Sequence, residues 1–262
     1  MSSVRDDQAA PLHVLREYAL LADGERGALI GPHGDIVWMC APSWSSDAVF
    51  STLIGGEGTY TITPVGRYVW GGYYENGSLI WRSRWTTQTG IIESREALSF
   101  PGTEHQVSVI RRVMATEGDA HVRVVLDPRA NFGRHSATRL RRTDDGVWTA
   151  HVGDLRMRWR GGSDARPNPD GRGLVLDLVV AAGEHHDLIL DLSEEPLDHP
   201  VEAEQAWQAT VQTWHDAVPR FDDTVAAADA RHSYAVLRGL TTSGGGMVAA
   251  ATTSLPERAE AG

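Results

Sequence analysis

The sequence predicts a mainly β protein, in which a large, many-stranded β-sandwich is followed by helices. Residues 12–194 contain many short segments rich in Val, Ile, Thr, Tyr and Trp, in which apolar and polar side chains alternate. Turn-forming Gly, Asn and Asp residues separate these segments, which is typical of antiparallel hairpins. Because the pattern is far longer than the roughly 100 residues of a seven-stranded sandwich, it favours a large double sheet.

The composition is that of a folded, acidic protein. Of the 262 residues, 41% are hydrophobic, so the chain can bury a packed core. The formal net charge of −11 argues against a nucleic-acid partner, which would need clustered basic side chains. Cys40 is the single cysteine, so an internal disulfide is impossible, and its apolar neighbours predict a small buried side chain. No cofactor is predicted.

The first residues show no targeting signal. Residues 1–11 are polar and predict a disordered N-terminal tail. They are not followed by the apolar core of a signal peptide, and no segment is long and apolar enough to span a bilayer. We therefore expect a cytoplasmic protein that has no membrane partner.

The stretch 34–54 predicts a turn, a buried strand and a short helix. Four apolar residues at 36–39 are too few for a free-standing helix and favour a strand, which Pro42 ends. A serine at 45–46 can cap a helix whose apolar residues share one face, and Gly55-Gly56 ends it.

Turn residues predict three hairpins. They are centred on Asp23-Gly24, Asn76-Gly77 and Gly153-Asp154. In the segments 79–85 and 155–159, large apolar side chains alternate with arginines, which predicts strands that have one buried face.

At Glu194 the pattern changes from strands to helices. A first helix is predicted over 201–218, because apolar residues recur at spacings of four, three and four at Trp207, Val211, Trp214 and Val218. A second helix is predicted over about 225–240, with Tyr234, Leu237 and Leu240 on one face. Gly244-Gly245-Gly246 follows it, and we expect the remaining residues to begin a further domain.

Several stretches together carry a family resemblance. They are Glu17-Tyr18-Ala19-Leu20, Asp23-Gly24, Ala28-Leu29, Gly34-Asp35-Ile36-Val37-Trp38-Met39-Cys40-Ala41-Pro42, Ser83-Arg84-Trp85-Thr86-Thr87 and Gly245-Gly246-Met247-Val248-Ala249-Ala250-Ala251-Thr252-Thr253-Ser254-Leu255-Pro256-Glu257. They resemble bacterial family 15 glycoside hydrolases, the glucoamylase and trehalase-like enzymes with a trehalase-like N-terminal domain. The last stretch resembles the first loop of the family's catalytic barrel. The similarity extends from Leu15 to Glu257.

The resemblance implies a super-β-sandwich over 12–194, a linker helix over 195–222 and a truncated start of an (α/α)6 catalytic domain over 223–262. It implies hydrolysis of α-glucosidic bonds, in an α-glucan or in trehalose, by two glutamates that act as general acid and base with inversion. Neither glutamate is present here, so the chain would be a non-catalytic portion that contacts the missing barrel. The chain departs from the family at 42–45, where Pro-Ser-Trp-Ser replaces Pro-Arg-Phe-Asp.

Five residues are candidates for substrate binding. Thr253 and Ser254 lie in the motif that resembles the first barrel loop. Trp70, Tyr73 and Tyr74 belong to an aromatic-rich third of the chain, and sugars stack on exposed aromatic faces. These rings could form the surface of a stand-alone carbohydrate-binding module. The alternatives are that they fill the core of the sandwich or pack against the missing barrel.

Other chemistry-bearing residues do not form a recognisable site. Glu194-Glu195 point apart on an extended chain and cannot face each other across a sugar. His185-His186 have adjacent spacing and no third ligand nearby, so no metal site is predicted. Ser254 lacks the G-x-S-x-G context of a hydrolase nucleophile.

Overall fold

A computed structural model describes residues 13–198 and 200–254 of the protein. Within these residues the chain is mainly β, as predicted, with two eight-stranded antiparallel sheets and two α-helices. The predicted tail at 1–11 lies outside the described residues. No helix in the described part of the chain is both long and apolar enough to cross a membrane.

The first sheet has its strands in the order β1-β2-β3-β5-β10-β17-β16, and β4 pairs with β3. Its members are β1 (Ala19–Ala22), β2 (Gly27–Ile30), β3 (Asp35–Cys40), β4 (Ala48–Phe50), β5 (Thr59–Pro64), β10 (Ala120–Asp127), β16 (Arg166–Pro167) and β17 (Leu174–Val180).

The second sheet has the order β13-β14-β15-β18-β9-β8-β7-β6. Its members are β6 (Tyr68–Tyr74), β7 (Trp81–Thr87), β8 (Ile91–Leu98), β9 (Gln106–Glu117), β13 (Thr138–Arg142), β14 (Trp148–Val152), β15 (Leu155–Arg160) and β18 (His185–Ser193). A two-stranded sheet of β11 (Arg129–Ala130) and β12 (His135–Ser136) completes the β structure of the described residues.

The three predicted hairpins are confirmed. The turns at 23–24, 76–77 and 153–154 join β1 to β2, β6 to β7 and β14 to β15. The second turn is longer than a two-residue loop, because the N–H of Glu75 bonds to the carbonyl of Ile80 and β7 begins only at Trp81.

The predicted helix between residues 45 and 54 is wrong. Residues 48–50 instead form β4, which pairs with β3, and only Thr52–Ile54 form a single 3₁₀ turn. All three β4 residues are buried. Pairing with β3 satisfies the backbone of a segment that is too short to form a stable α-helix.

Both sheets contribute side chains to one hydrophobic core. From the first sheet these include Leu21, Ile36, Tyr60 and Val124, and from the second Trp85, Val109, Trp159 and Leu190. The alternating pattern of the strands therefore turns one face of each sheet toward this core.

A buried ion pair lies within the second sheet, and its arginine also bonds to the first sheet inside the core. Arg111 of β9 donates from Nε to a carboxylate oxygen of Glu96 of β8 at 3.0 Å. The same guanidinium donates to the carbonyl oxygens of Tyr60 at 2.9 Å and Gly34 at 2.6 Å. Both charged side chains are fully buried. The Gly34 carbonyl directly precedes β3, and the Tyr60 carbonyl lies in β5. Arg111 therefore holds the first sheet against the second.

Helix α1 (Ala203–Ala217) packs on the outer face of the second sheet. Trp207 and Trp214 are buried, as their spacing predicted, but Val211 is 38% exposed. The buried stripe passes instead through Thr210, whose hydroxyl accepts the N–H of Phe100 at 3.3 Å. This bond selects the helix rotation that turns Val211 outward.

Helix α2 (Ala227–Gly239) confirms the second predicted helix but not its predicted face. Leu240 is buried just after the helix, whereas Tyr234 and Leu237 are 37% and 49% exposed. The helix packs through its small residues Ala235 and Gly239, which are both buried. A Cβ at Gly239 would lie 2.5 Å from the Leu79 side chain, so the absence of a side chain permits this close approach.

Candidate functional site

The three predicted aromatic residues lie on β6, an edge strand of the second sheet, and face in two directions. Trp70 and Tyr74 are two strand periods apart and share one side, while Tyr73 points to the other. Tyr73 is 47% exposed and the other two are half-buried. The three rings therefore do not form one continuous platform.

Tyr74 is bound into the fold. Its hydroxyl accepts the N–H of Leu20 at 2.6 Å and donates to the carbonyl of Leu20 at 3.1 Å. Its ring packs against Trp81 at 4.8 Å and His232 at 4.6 Å between centroids. Burial raises the pKa of the Tyr74 hydroxyl to about 12. Tyr74 thus joins the edges of the two sheets to α2.

Trp70 packs against the shared core, and its indole Nε1 is buried without a hydrogen-bond partner in the described chain. Of the three rings, Tyr73 offers the most surface to solvent. Sugar binding by Trp70, Tyr73 and Tyr74 stays a prediction.

The other two candidates, Thr253 and Ser254, lie in a segment that contacts β3. The Ser254 hydroxyl lies 2.8 Å from the Sγ atom of Cys40. The Thr253 hydroxyl donates to the carbonyl of Ala250 at 2.7 Å and is exposed. Neighbouring Ala251 accepts the indole N–H of Trp38 at 2.9 Å through its carbonyl. Binding roles for Thr253 and Ser254 also stay predictions.

Cys40 is buried, as its apolar surroundings predicted. Loss of solvent raises the pKa of its thiol to about 11, although the hydrogen bond to Ser254 acts in the opposite direction. The thiol is therefore protonated at neutral pH and unreactive. Cys40 and Ser254 are 214 residues apart, so no local pattern could have predicted their contact.

The buried carboxyls of the second sheet are held by arginines. Glu93 binds Arg84 at 2.6 Å and Arg82 at 3.1 Å, and Asp191 binds Arg158 at 2.9 Å. Glycoside hydrolysis needs one carboxyl that holds a proton and another that activates water. Because Glu93 and Asp191 are each ion-paired with arginines, we assign them to stabilising the fold and not to catalysis.

Two surface cavities lie on the described part of the chain close to the β14–β15 hairpin. One, of about 330 Å³, is lined by Arg139, Arg141 and Arg156 among others, and no carboxyl lines it. The other, of about 310 Å³, is lined by Asp47, Asp154 and Glu194. These three side chains are exposed, and Glu194 bonds to His105 at 2.9 Å. The first cavity thus lacks a carboxyl, and the carboxyls of the second are open to solvent.

The described residues also contain no group of three or more His, Cys, Asp or Glu residues that could hold a metal ion. The arrangement is that of a large double-sheet β domain with a helical extension on the outer face of one sheet.

The chain belongs to the trehalase-like N-terminal family, whose sequence profile matches residues 4–190. It is 26% identical over 276 aligned residues to the trehalase of Mycobacterium tuberculosis, covering 94% of this chain and 40% of that protein. It is 27% identical over 285 residues to the trehalase of Mycolicibacterium smegmatis, covering 94% of this chain and 41% of that protein. The chain thus spans about two fifths of the length of these curated relatives.

Proposed function

We propose that this chain is the N-terminal, non-catalytic portion of a family 15 type glycoside hydrolase. The parent enzyme hydrolyses α-glucosidic bonds in trehalose or an α-glucan. Two glutamates of an (α/α)6 barrel act as general acid and general base, and water attacks with inversion at the anomeric carbon. Membership in the trehalase-like N-terminal family and the partial coverage of two longer trehalases support this proposal.

In this proposal the two sheets form a super-β-sandwich that braces the barrel, α1 is the linker and α2 is the first barrel helix. Sugar chemistry would take place outside the double sheet. The ion-paired state of the buried carboxyls Glu93, Glu96 and Asp191 supports such a division.

The observation that carries the proposal is the outward face of α2. Tyr234 and Leu237 are three residues apart, so they lie on the same side of the helix, and both are exposed. The opposite side packs on the double sheet through Ala235 and Gly239. A helix with large apolar residues outward and small residues inward is suited to contact a second body. We assign this contact to the barrel.

Replacing Tyr234 and Leu237 together by serine tests this assignment. In the 262-residue chain we expect the free energy of unfolding to fall by no more than about 1 kcal/mol, because both side chains are partly exposed, although the Tyr234 ring packs on Phe221, at 5.8 Å between centroids. When the chain is joined to its barrel, the same pair of changes should lower the melting temperature. Urea unfolding and thermal melts measure the two effects.

The matched control is Val211→Ser, which changes an exposed apolar residue of α1 and should have little effect in either protein. A loss of more than about 2 kcal/mol in the 262-residue chain would show that this face is packed mainly within the chain, against the proposal.

A further inference from the structure

The segment that follows α2 folds back on itself with little burial of its own. Residues 243–247 are exposed. The N–H of Thr242 bonds to the carbonyl of Gly246 at 2.8 Å, and a bridge pairs Thr241 with Met247. Gly245 has a φ of +82°, a conformation that favours glycine. Because the segment buries little surface of its own, contacts with the rest of the protein must hold it in place.

Three buried side chains of the first sheet and its β1–β2 turn make hydrogen bonds to this segment. A carboxylate oxygen of Glu25 accepts the N–H of Ser243 at 2.7 Å. The indole N–H of Trp38 donates to Ala251 at 2.9 Å, and Cys40 contacts Ser254 at 2.8 Å. The segment is thus bound near both of its ends by groups from residues 25–40.

The β1–β2 turn that presents Glu25 is itself rigid. One carboxylate oxygen of Asp23 accepts the N–H groups of Glu25 and Arg26, each at 2.9 Å, and the Arg26 guanidinium lies 3.1 Å from the other oxygen. The N–H of Gly24 bonds to the carbonyl of Gly239 at 3.0 Å, where α2 ends. The turn therefore fixes both the end of α2 and the start of the segment.

A Cβ at Gly24 would lie 2.9 Å from the carbonyl oxygen of Thr241, and its φ is +93°. Glycine is needed here for the backbone conformation and for the close approach of turn and segment. Glu25 can reach Ser243 because of this approach.

We infer that the β1–β2 turn and β3 form a clasp that sets the position of residues 241–254, and that Glu25 is its positioning residue. The inference rests on the proposed function, because residues 245–257 resemble the first loop of the catalytic barrel. In the parent enzyme the β domain would then place a loop of the substrate site, in addition to bracing the barrel.

The only thiol of the chain reports directly on the clasp. Cys40 lies under Ser254, so it reacts with a thiol reagent such as DTNB only when the segment lifts. Burial also raises the pKa of the Cys40 thiol to about 11, so the covered side chain is held as the unreactive thiol. The reaction rate under native conditions measures the opening of the segment.

We expect Glu25→Ala to increase the Cys40 modification rate at least about tenfold, because a partly buried charge-assisted hydrogen bond is lost. Glu25→Gln keeps an oxygen that can accept the N–H of Ser243, so its rate should return to within about threefold of the original. The matched control is Glu117→Ala, at an exposed position at the end of β9, which should not change the rate.

An unchanged rate in Glu25→Ala would overturn the clasp, and so would equal rates in Glu25→Ala and Glu25→Gln. Urea unfolding in parallel identifies any variant whose rate increases through global unfolding. Trp38→Phe serves as a second variant, which removes the N–H donor to Ala251 and part of a fully buried ring. Trp38→Phe should also accelerate the reaction. The assay contains no sugar, so a negative result refutes the clasp and leaves the proposed glycosidase role standing.

Discussion

Replacing Glu96 by alanine is expected to destabilise the protein by about 3–5 kcal/mol, the usual cost of removing one partner from a buried ion pair. Glu96 and Arg111 are both fully buried between the sheets. The carboxylate also accepts hydrogen bonds from Ser94 at 3.0 Å and Ser83 at 3.1 Å. Its loss would leave the guanidinium charge in the core with only carbonyl partners and both hydroxyls without their acceptor.

Urea unfolding followed by tryptophan fluorescence measures this loss. The informative comparison is the double variant Glu96→Leu and Arg111→Met, which removes both charges and should recover a large part of the stability. Glu184→Ala, at an exposed turn position, is the control and should change the free energy of unfolding by less than about 0.5 kcal/mol. If Glu96→Ala cost less than about 1 kcal/mol, the ion pair would not be a main source of stability in the core.

The second large effect is expected for Trp207→Ala, which should cost about 3–5 kcal/mol through the cavity and the lost contacts. The Trp207 ring lies 4.4 Å from the Arg95 guanidinium and 5.8 Å from that of Arg112. Its indole N–H donates to Asp187 at 3.0 Å. One side chain therefore fastens α1 to β8, β9 and β18.

Because this anchor is local, α1 should separate from the sheet before the double sheet unfolds. Limited proteolysis of Trp207→Ala should cut near residues 195–222 at a urea concentration that leaves the β core intact. Trp207→Phe keeps most of the ring area and should cost about 2 kcal/mol, from the lost hydrogen bond to the Asp187 carboxylate and the smaller buried ring. Equal resistance to protease in Trp207→Ala and the original chain would contradict this role of the side chain.

Local chemistry explains what the sequence could predict of the fold. Asp23-Gly24, Asn76-Gly77 and Gly153-Asp154 specify turns through their own backbone preferences, and the hairpins formed around all three. The Trp207–Trp214 spacing likewise located the buried face of α1 to within one position.

The predictions of local structure and of buried faces were wrong where contacts with residues distant in sequence determine the structure. Residues 48–50 became a strand because β3 offered them a free edge. Thr210 replaced Val211 on the buried face because its hydroxyl satisfies the backbone of Phe100. Tyr234 and Leu237 face outward because the smaller Ala235 and Gly239 allow α2 to approach the sheet. Propensity and periodicity contain no information about such partners.

The candidate site was harder to predict than the fold. Strand alternation places Tyr73 and Tyr74 on opposite sides of β6, but the bonds between Tyr74 and Leu20 span 54 residues. The contact between Glu25 and Ser243 spans 218 residues and joins a turn to a loop. Neither contact can be recognised from a pattern of neighbouring residues in the sequence.

In the proposed function the sugar chemistry belongs to a barrel outside this chain. Glucose release from trehalose and from maltose by the purified 262-residue protein tests it most directly, with a coupled glucose assay and a buffer blank. We expect no glucose above the blank from this chain, and release only when it is joined to a barrel that carries the two glutamates. Sustained turnover by the 262-residue chain alone would contradict the account.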